Sequence, residues 1–506
     1  MGKCGGKDNK KIVSLPPNLI IMKQTPETST PTEPRVPIWA ALIPLAVLVG
    51  MLVLVVKCFG ADANGGGSQV ALLCAASVAA ALAIGLFGCR WQQLEEAITD
   101  NIRTSASAII ILLLIGAISG TWMLSGVVPT FIYYGLQVIH PSVFLGVACI
   151  ICAIVSVVTG SSWTTIATIG VALMGIGRAE GFSEGWIAGA IISGAYFGDK
   201  VSALSDTTVL ASSAVRVPLF EHIRYMLTTT IPSFVIALIV FFCVSLTAEY
   251  DASERIAEMS ETLRSTFTIT PWLFVVPIVT AIFIVRRLPA LITLFVAVVV
   301  ACVAMVVFQG DIVAEIGGEG SLATFRALMT TCSGATAITT GDAVLDELVK
   351  TVGMSGMLNT VWLVLCAMCF GGVMSGSGML AAVARLFLRV VHRTVSVVAS
   401  TICAGLFCNM ATADQYISII ITGNTFRDLY RRCGLEGRLL SRSVEDSATV
   451  TSVLVPWNSC GMTQSTVLGV ATVTYLPYCQ FNLVSPLMSI IVAAVGYKIV
   501  RRNAEE

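Results

Sequence analysis

The sequence predicts an all-α polytopic membrane protein of about 12–14 helices, with inverted-topology repeats and broken or re-entrant helices. Three observations predict it. Of 506 residues, 56% are hydrophobic and only 12% charged, roughly half the ~25% charge of a soluble domain. Apolar runs long enough to cross hydrocarbon recur along the whole chain. The two halves also carry the same order of small, hydroxyl and acidic residues, roughly 250 positions apart. Lys plus Arg and Asp plus Glu each total 30. That zero balance excludes a strongly basic nucleic-acid binder and an acidic disordered chain.

In chain order, residues 1–36 read as a cytoplasmic polar tail, with Lys3, Lys7, Lys10, Lys11 and Lys23 followed by Pro- and Thr-rich sequence. The run from Ile38 to Val56 spans a bilayer, which argues against a cleaved signal peptide. Met1-Gly2-Lys3-Cys4 hints at acylation, but Gly6 stands where Ser or Thr is preferred. Met22 is an alternative start. Residues 37–103 form leading helices, 104–247 a first repeat, 248–356 connecting helices and a loop, and 357–500 a second repeat. Within these, the candidate spans are 37–58, 68–89, 104–125, 142–160, 161–177, 187–212, 222–247, 271–287, 289–309, 357–375, 395–412, 413–426, 443–470 and 481–500.

Basic residues sort these spans. With the N-terminus inside, the inner connections hold Arg90 and Arg103, Arg216 and Arg224, Arg286 and Arg287, Arg385, Arg389 and Arg393, then Arg427 to Arg442; Lys498, Arg501 and Arg502 close the chain. The outer connections are glycine-rich (59–67) or acid-leaning (248–270). This is the positive-inside pattern, and it places both termini in the cytoplasm of a cell-membrane protein. Runs 161–177 and 413–426 are short enough to re-enter rather than cross. Segments 194–212 and 443–461 put Asp, Ser, Thr, Gly and Pro at membrane depth, where irregular backbone is tolerated only around a cavity or inside protein.

The repeat is read from three matches. Gly120 with Ser125-Gly126 pairs with Gly372 and Ser377-Gly378; Thr159-Gly160-Ser161-Ser162-Trp163 pairs with Met410-Ala411-Thr412-Ala413-Asp414; and Gly198 to Ser205 pairs with Glu445 to Ser452. Loop 178–186 has one Arg and two Glu, whereas 427–442 has five Arg. The charge rule therefore puts these loops on opposite faces and makes the repeats inverted, as in secondary transporters.

Ionisable groups at mid-bilayer are costly and normally functional. The candidate ion- and proton-binding residues are Asp199, Asp206, Asp414, Glu445 and Asp446. Ser202, Ser205, Thr207, Thr449, Ser452 and Asn458 are supporting ligands, because a dehydrated hard cation needs several oxygens. Protons compete at such sites, since burial disfavours a charged carboxylate. Lys200 is a charge-compensating residue; neighbours on a helix do not face each other, so a direct bridge to Asp199 requires broken geometry. Ser161, Ser162, Trp163, Thr412 and Trp457 are expected to line the cavity. Asp342 and Asp346 read as loop residues. Most of the sixteen cysteines lie in apolar runs and read as packing, including Cys149/Cys152 and Cys366/Cys369. Neither a structural metal nor a cofactor is expected. A membrane enzyme lacks its Ser/His, paired-Asp or HExxH motif here, and nothing suggests a channel filter.

At these residues a family resemblance appears. Ser193-Gly-Ala-Tyr-Phe-Gly-Asp-Lys-Val-Ser-Ala-Leu-Ser-Asp-Thr-Thr-Val-Leu-Ala211 resembles the signature of NhaC-type sodium/proton antiporters. Gly120-Thr-Trp, Tyr133-Tyr-Gly-Leu136, Thr159-Gly-Ser-Ser-Trp163 and Ala172-Leu-Met-Gly-Ile-Gly177 are similar to that family's first half. Ala413-Asp-Gln-Tyr416, Arg442-Ser-Val-Glu-Asp-Ser447 and Pro456-Trp-Asn-Ser-Cys-Gly461 are similar to its second. The likeness runs from about residue 104 to about 480. It implies Na+/H+ exchange by alternating access, an ion-transporter fold, often a homodimer, and an elevator motion. It leaves open exchange of small organic acids such as malate and lactate, or of amino acids. Ala203 and Val209 depart from the family's usual Pro and Asn, and the missing Asn amide puts the substrate in question more than the fold.

Overall fold

A computed structural model describes residues 36–59, 66–247, 260–286, 288–340, 346, 349–387 and 393–499. Asp342, Arg287, Arg389 and residues 1–35 lie outside them. Among the described residues seven helices are long and apolar enough to cross a membrane, or ten if each sharply bent pair counts as one span.

Two leading helices, α1 (Ile38–Phe59) and α2 (Gly67–Phe87), are almost wholly apolar. The long helix α3 (Trp91–Leu124) joins the two apolar cores. Leu94 and Leu112 pack with α1, α2 and the helix Leu358–Gly376, while Ala117 and Trp122 pack into the core of the first repeat. This helix ends at Ser125, and Gly126 (φ 81°) redirects the chain by 63° into α4 (Val127–Val138). The helix Leu358–Gly376 ends in the same way: Ser377 is helical, Gly378 has φ 74°, and a short helix Met379–Phe387 follows. The match of Gly120/Ser125-Gly126 with Gly372/Ser377-Gly378 is therefore a match of backbone geometry.

After α5 (Phe144–Thr159) the chain breaks at Gly160 and Ser161 and restarts as Ser162–Thr165, a π turn Ile166–Gly170 and Val171–Ala179. Its counterpart, Thr394–Thr412, breaks at Ala413 and Asp414 and restarts as Gln415–Arg432. Gly160 (φ 68°) and Ala413 (φ 56°) are both left-handed, and Ser161 and Asp414 both cap the following helix. This corrects the sequence register by two: Thr159 pairs with Thr412, Gly160 with Ala413 and Ser161 with Asp414.

The run 187–212 is likewise not one helix. Helix α8 (Glu184–Val201) stops at Ser202, and Asp206–Val215 begins after the cap Ser205. In the second repeat, Gly437–Val444 passes into a π turn, Glu445–Thr449, and the chain restarts at Ser459–Leu468 after the cap Asn458. Ser156 donates to the Ala195 carbonyl at 2.6 Å, and Asn409 donates to the Ala448 carbonyl at 2.7 Å. These pairs, like the caps Ser205 and Asn458, keep the spacing of Ser161 to Asp414. Asp199 thus stands opposite Ser452 in the repeat, and Asp446 opposite Ser193. The sequence match of Gly198–Ser205 to Glu445–Ser452 followed acid and hydroxyl identity; backbone geometry overrules it.

Close approach of α5 and α8 requires glycine at 198, where a Cβ would run into the Ala153 carbonyl. The chain continues through Leu219–Thr247 and ends in Gln480–Val495.

Candidate functional site

The broken segments of both repeats converge on one cavity of about 720 Å³. Its wall includes Asp199, Asp206 and Asp414, with Ser161, Ser205, Thr207, Ser459, Trp163 and Tyr416. Among the described residues, none that line it is Lys, Arg or His.

Local sequence explains the placement. In the first repeat the Thr159 hydroxyl accepts from the Ser161 amide at 3.1 Å, the Ser161 hydroxyl accepts from the Thr164 amide at 3.2 Å, and Thr165 donates to the Ser161 carbonyl at 2.9 Å. The second repeat copies this: Thr412 accepts from the Asp414 amide at 3.2 Å, Asp414 Oδ1 accepts from the Ile417 amide at 3.0 Å, and Ser418 donates to the Asp414 carbonyl at 2.7 Å. Short hydroxyl and carboxylate residues at a cap satisfy helix-start amides that no water reaches at membrane depth. Asp414 is therefore both a cap and a cavity carboxylate, its second oxygen 3.4 Å from the Ser459 hydroxyl.

Asp199 is buried at the end of α8, and Ser162 donates to its Oδ2 at 2.7 Å. Ser205, which caps the next helix, stands near it, its hydroxyl 2.9 Å from that of Thr207. Asp206 lies exposed at the cavity surface. Tyr416 feels the charge of all three aspartates. Even so, no three His, Cys, Asp or Glu side chains lie close enough to hold a metal together among the described residues. A cation here would need hydroxyl, carbonyl and water oxygens beside the carboxylates.

A second cluster lies in packed protein away from the cavity lining. Lys200 is fully buried and is paired with Asp446 rather than with Asp199. Ser485 bridges them, accepting from Lys200 at 3.0 Å and donating to Asp446 Oδ1 at 2.8 Å. Thr229 donates to Oδ2 at 2.9 Å, and Arg442 Nε stands 4.0 Å from it, one turn before. Arg442 is fully buried and stacks on Tyr225, so it is not the loop residue that the basic run 427–442 suggested; its partner Asp446 four positions on keeps it inside. Glu445 is also fully buried, and neither of its carboxylate oxygens has a hydrogen-bond partner.

The sequence-derived candidates thus divide. Asp199, Asp206, Asp414, Ser205, Thr207, Ser161 and Trp163 line the cavity, with Ser162 directly behind Asp199. Asp446, Glu445 and Lys200 do not line it. Ser202 donates to the Val157 carbonyl and Ser452 to that of Thr449, while Asn458 caps its helix and donates to the Asn409 carbonyl; these side chains bond backbone, and none of the three lines the cavity. Thr412 holds the Asp414 turn, and Trp457 is tied to the Met410 carbonyl at 2.8 Å. Missed as candidates were Ser459, Gln415 and Tyr416 at the cavity, and Thr229, Ser485 and Arg442 at the buried pair. Gln415, Tyr416, Ser459 and Arg442 carried a signal, as members of quoted motifs; Thr229 and Ser485 carried none.

A polytopic helical protein whose broken, duplicated helices meet around buried carboxylates has the build of a secondary transporter. The chain belongs to the Na+/H+ antiporter family, whose model matches residues 194–497. It is 34% identical to the Na(+)/H(+) antiporter NhaC of Bacillus subtilis over 81% of this chain and 88% of that one. It is 35% identical to the malate-2H(+)/Na(+)-lactate antiporter of the same organism, covering 85% and 89%. To the arginine/ornithine antiporter ArcD of Halobacterium salinarum it is 33% identical, covering 94% and 95%.

Proposed function

We propose that this chain exchanges Na+ for H+ across the cell membrane by alternating access, with Asp199 and Asp414 as the carboxylates at which the two cations compete. The observation that carries this is the cavity's charge: among the described residues it is lined by three aspartates and no basic residue. An anion would need free helix N-termini or a base. All four helix starts at the breaks are instead closed by their own side chains, Ser161, Ser205, Asp414 and Asn458. The charge therefore favours a cation over an organic acid, the substrate class in one relative's name.

Na+ enters hydrated, sheds part of its shell to Asp199 and the Ser162 and Ser205 hydroxyls, and leaves when a proton neutralises the carboxylate. The charge rule supports a cavity mouth on the cytoplasmic side, shared with both termini: Leu288 and Pro289 stand beside Arg286, and the helix that begins at Asp206 is capped by Arg216. Residues 104–247 and 357–500 are the two halves that rearrange. A second reading, an amine- or guanidinium-bearing cation, is favoured by the cavity's size and its Trp163 and Tyr416 walls.

The test is collapse of a preset pH gradient in vesicles holding the purified protein. Na+ is expected to dissipate it, whereas malate and lactate alone are not. Dissipation by an acid but by no cation overturns the proposal; dissipation by arginine or ornithine but not Na+ selects the second reading.

A further inference from the structure

We propose that Glu445 is a proton-binding site separate from the cation cavity, coupled to it by charge balance rather than by sharing a ligand. This rests on the reading of Asp199 as the cation carboxylate. Glu445 opens a π turn; the Thr449 hydroxyl, one turn on, is the polar side chain beside it, and neither Glu445 oxygen has a partner within hydrogen-bond geometry. An isolated ionised carboxylate in such a place is far costlier than the neutral acid, so Glu445 holds its proton here.

The charged groups that face it are Lys200 and Asp199 from α8 and Asp446 from its own turn. Behind them, Arg442 and the ring of His222 complete the cluster, the ring bonded to Ser441 at 2.8 Å. With Glu445 neutral, the cations Lys200 and Arg442 balance the anions Asp446 and Asp199. Na+ arriving at Asp199 adds a positive charge. Loss of the Glu445 proton restores the balance: its O–H bond breaks, the electron pair stays on the carboxylate, and the proton passes to solvent through the cavity that Asp199 lines. Removal of Na+ reverses the step. The cluster thereby releases a proton of its own for each Na+ bound, beside any proton that Na+ displaces from Asp199.

The experiment measures protons released when Na+ is added to the purified protein in weakly buffered detergent, alongside Na+ binding. Glu445→Gln is expected to bind Na+ within about threefold of the unmodified protein while proton release per bound Na+ falls by about half or more. Unchanged release overturns the proposal, as does joint loss of binding and release in folded protein. Infrared difference spectra of the unmodified protein give a second readout that needs no variant to fold. Na+ should remove the C=O stretch of a neutral carboxylic acid; its persistence with Na+ bound also overturns the proposal. Asp199→Asn separates the two readings. If it still binds Na+, the cavity assignment fails; if it binds none while Glu445→Gln binds normally, the cavity assignment stands and Glu445 is judged alone.

Discussion

Asp446 and Lys200 are a buried pair in which the two partners are not equally replaceable. Asp446 satisfies Lys200, Ser485 and Thr229 and stands next to Arg442. Asp446→Asn leaves two buried cations without a counter-charge, whereas Lys200→Met leaves Asp446 with Arg442 and two hydroxyls. Removing one member of a buried pair typically costs about 3–5 kcal/mol. The asparagine variant should therefore lose clearly more thermal stability in detergent than the methionine variant; equal losses would contradict this geometry. Asp199→Asn breaks no direct ion pair, because Lys200 pairs with Asp446, so it should stay folded while Na+-driven gradient collapse falls to background. Ala413 holds a left-handed conformation that costs an L residue about 1–2 kcal/mol. Ala413→Gly should raise the melting temperature. Gly160→Ala should lower it, since its Cβ would also press on Leu204 at 2.6 Å.

Among the elements, the loop joining Val171–Ala179 to α8 carries its own titration. Glu180 is buried, with both oxygens unpartnered, and burial pushes its carboxyl up to about 8. A raised carboxyl works against the fold only where it ionises. The penalty is absent below the ordinary range near 4.5, grows as pH rises, and is complete above about 8. Glu180→Gln should match the unmodified protein's melting temperature at pH 4.5 and exceed it at pH 8.5. Parallel melting curves across that range would show that the carboxyl is not desolvated. The contact of α5 with α8 makes a second element-scale prediction. Gly198→Ala must push the two helices apart at the Ala153 carbonyl, displacing Asp199 one residue on, so transport should fall further than thermal stability does.

Across the whole molecule, the cavity joins elements that are distant in sequence. Thr159–Thr164, Leu204–Leu210, Leu288–Thr293 and Asp414–Tyr416 contribute to one wall. If its mouth faces the cytoplasm, a cysteine at Thr207 should react with a membrane-impermeant thiol reagent in inside-out vesicles but not in right-side-out ones, in a background lacking the native reactive cysteines. The reverse labelling would invert the assigned topology.

Composition and run length determined that the chain crosses the bilayer repeatedly, because no other solvent tolerates that much apolar surface. The caps at Ser161, Ser205 and Asp414 were legible as polar residues at membrane depth. Their pairing was not, because acid and hydroxyl identity slid the repeat out of register, and only backbone geometry restores it. Nor could local sequence show that Lys200 turns from its neighbour Asp199 to Asp446, or that Arg442 is buried rather than in a loop. Helix periodicity says which residues cannot face each other; it does not say which distant helix supplies the partner. The tertiary structure decided that, because in a low-dielectric interior each charge is fixed by the counter-charge that packing brings to it.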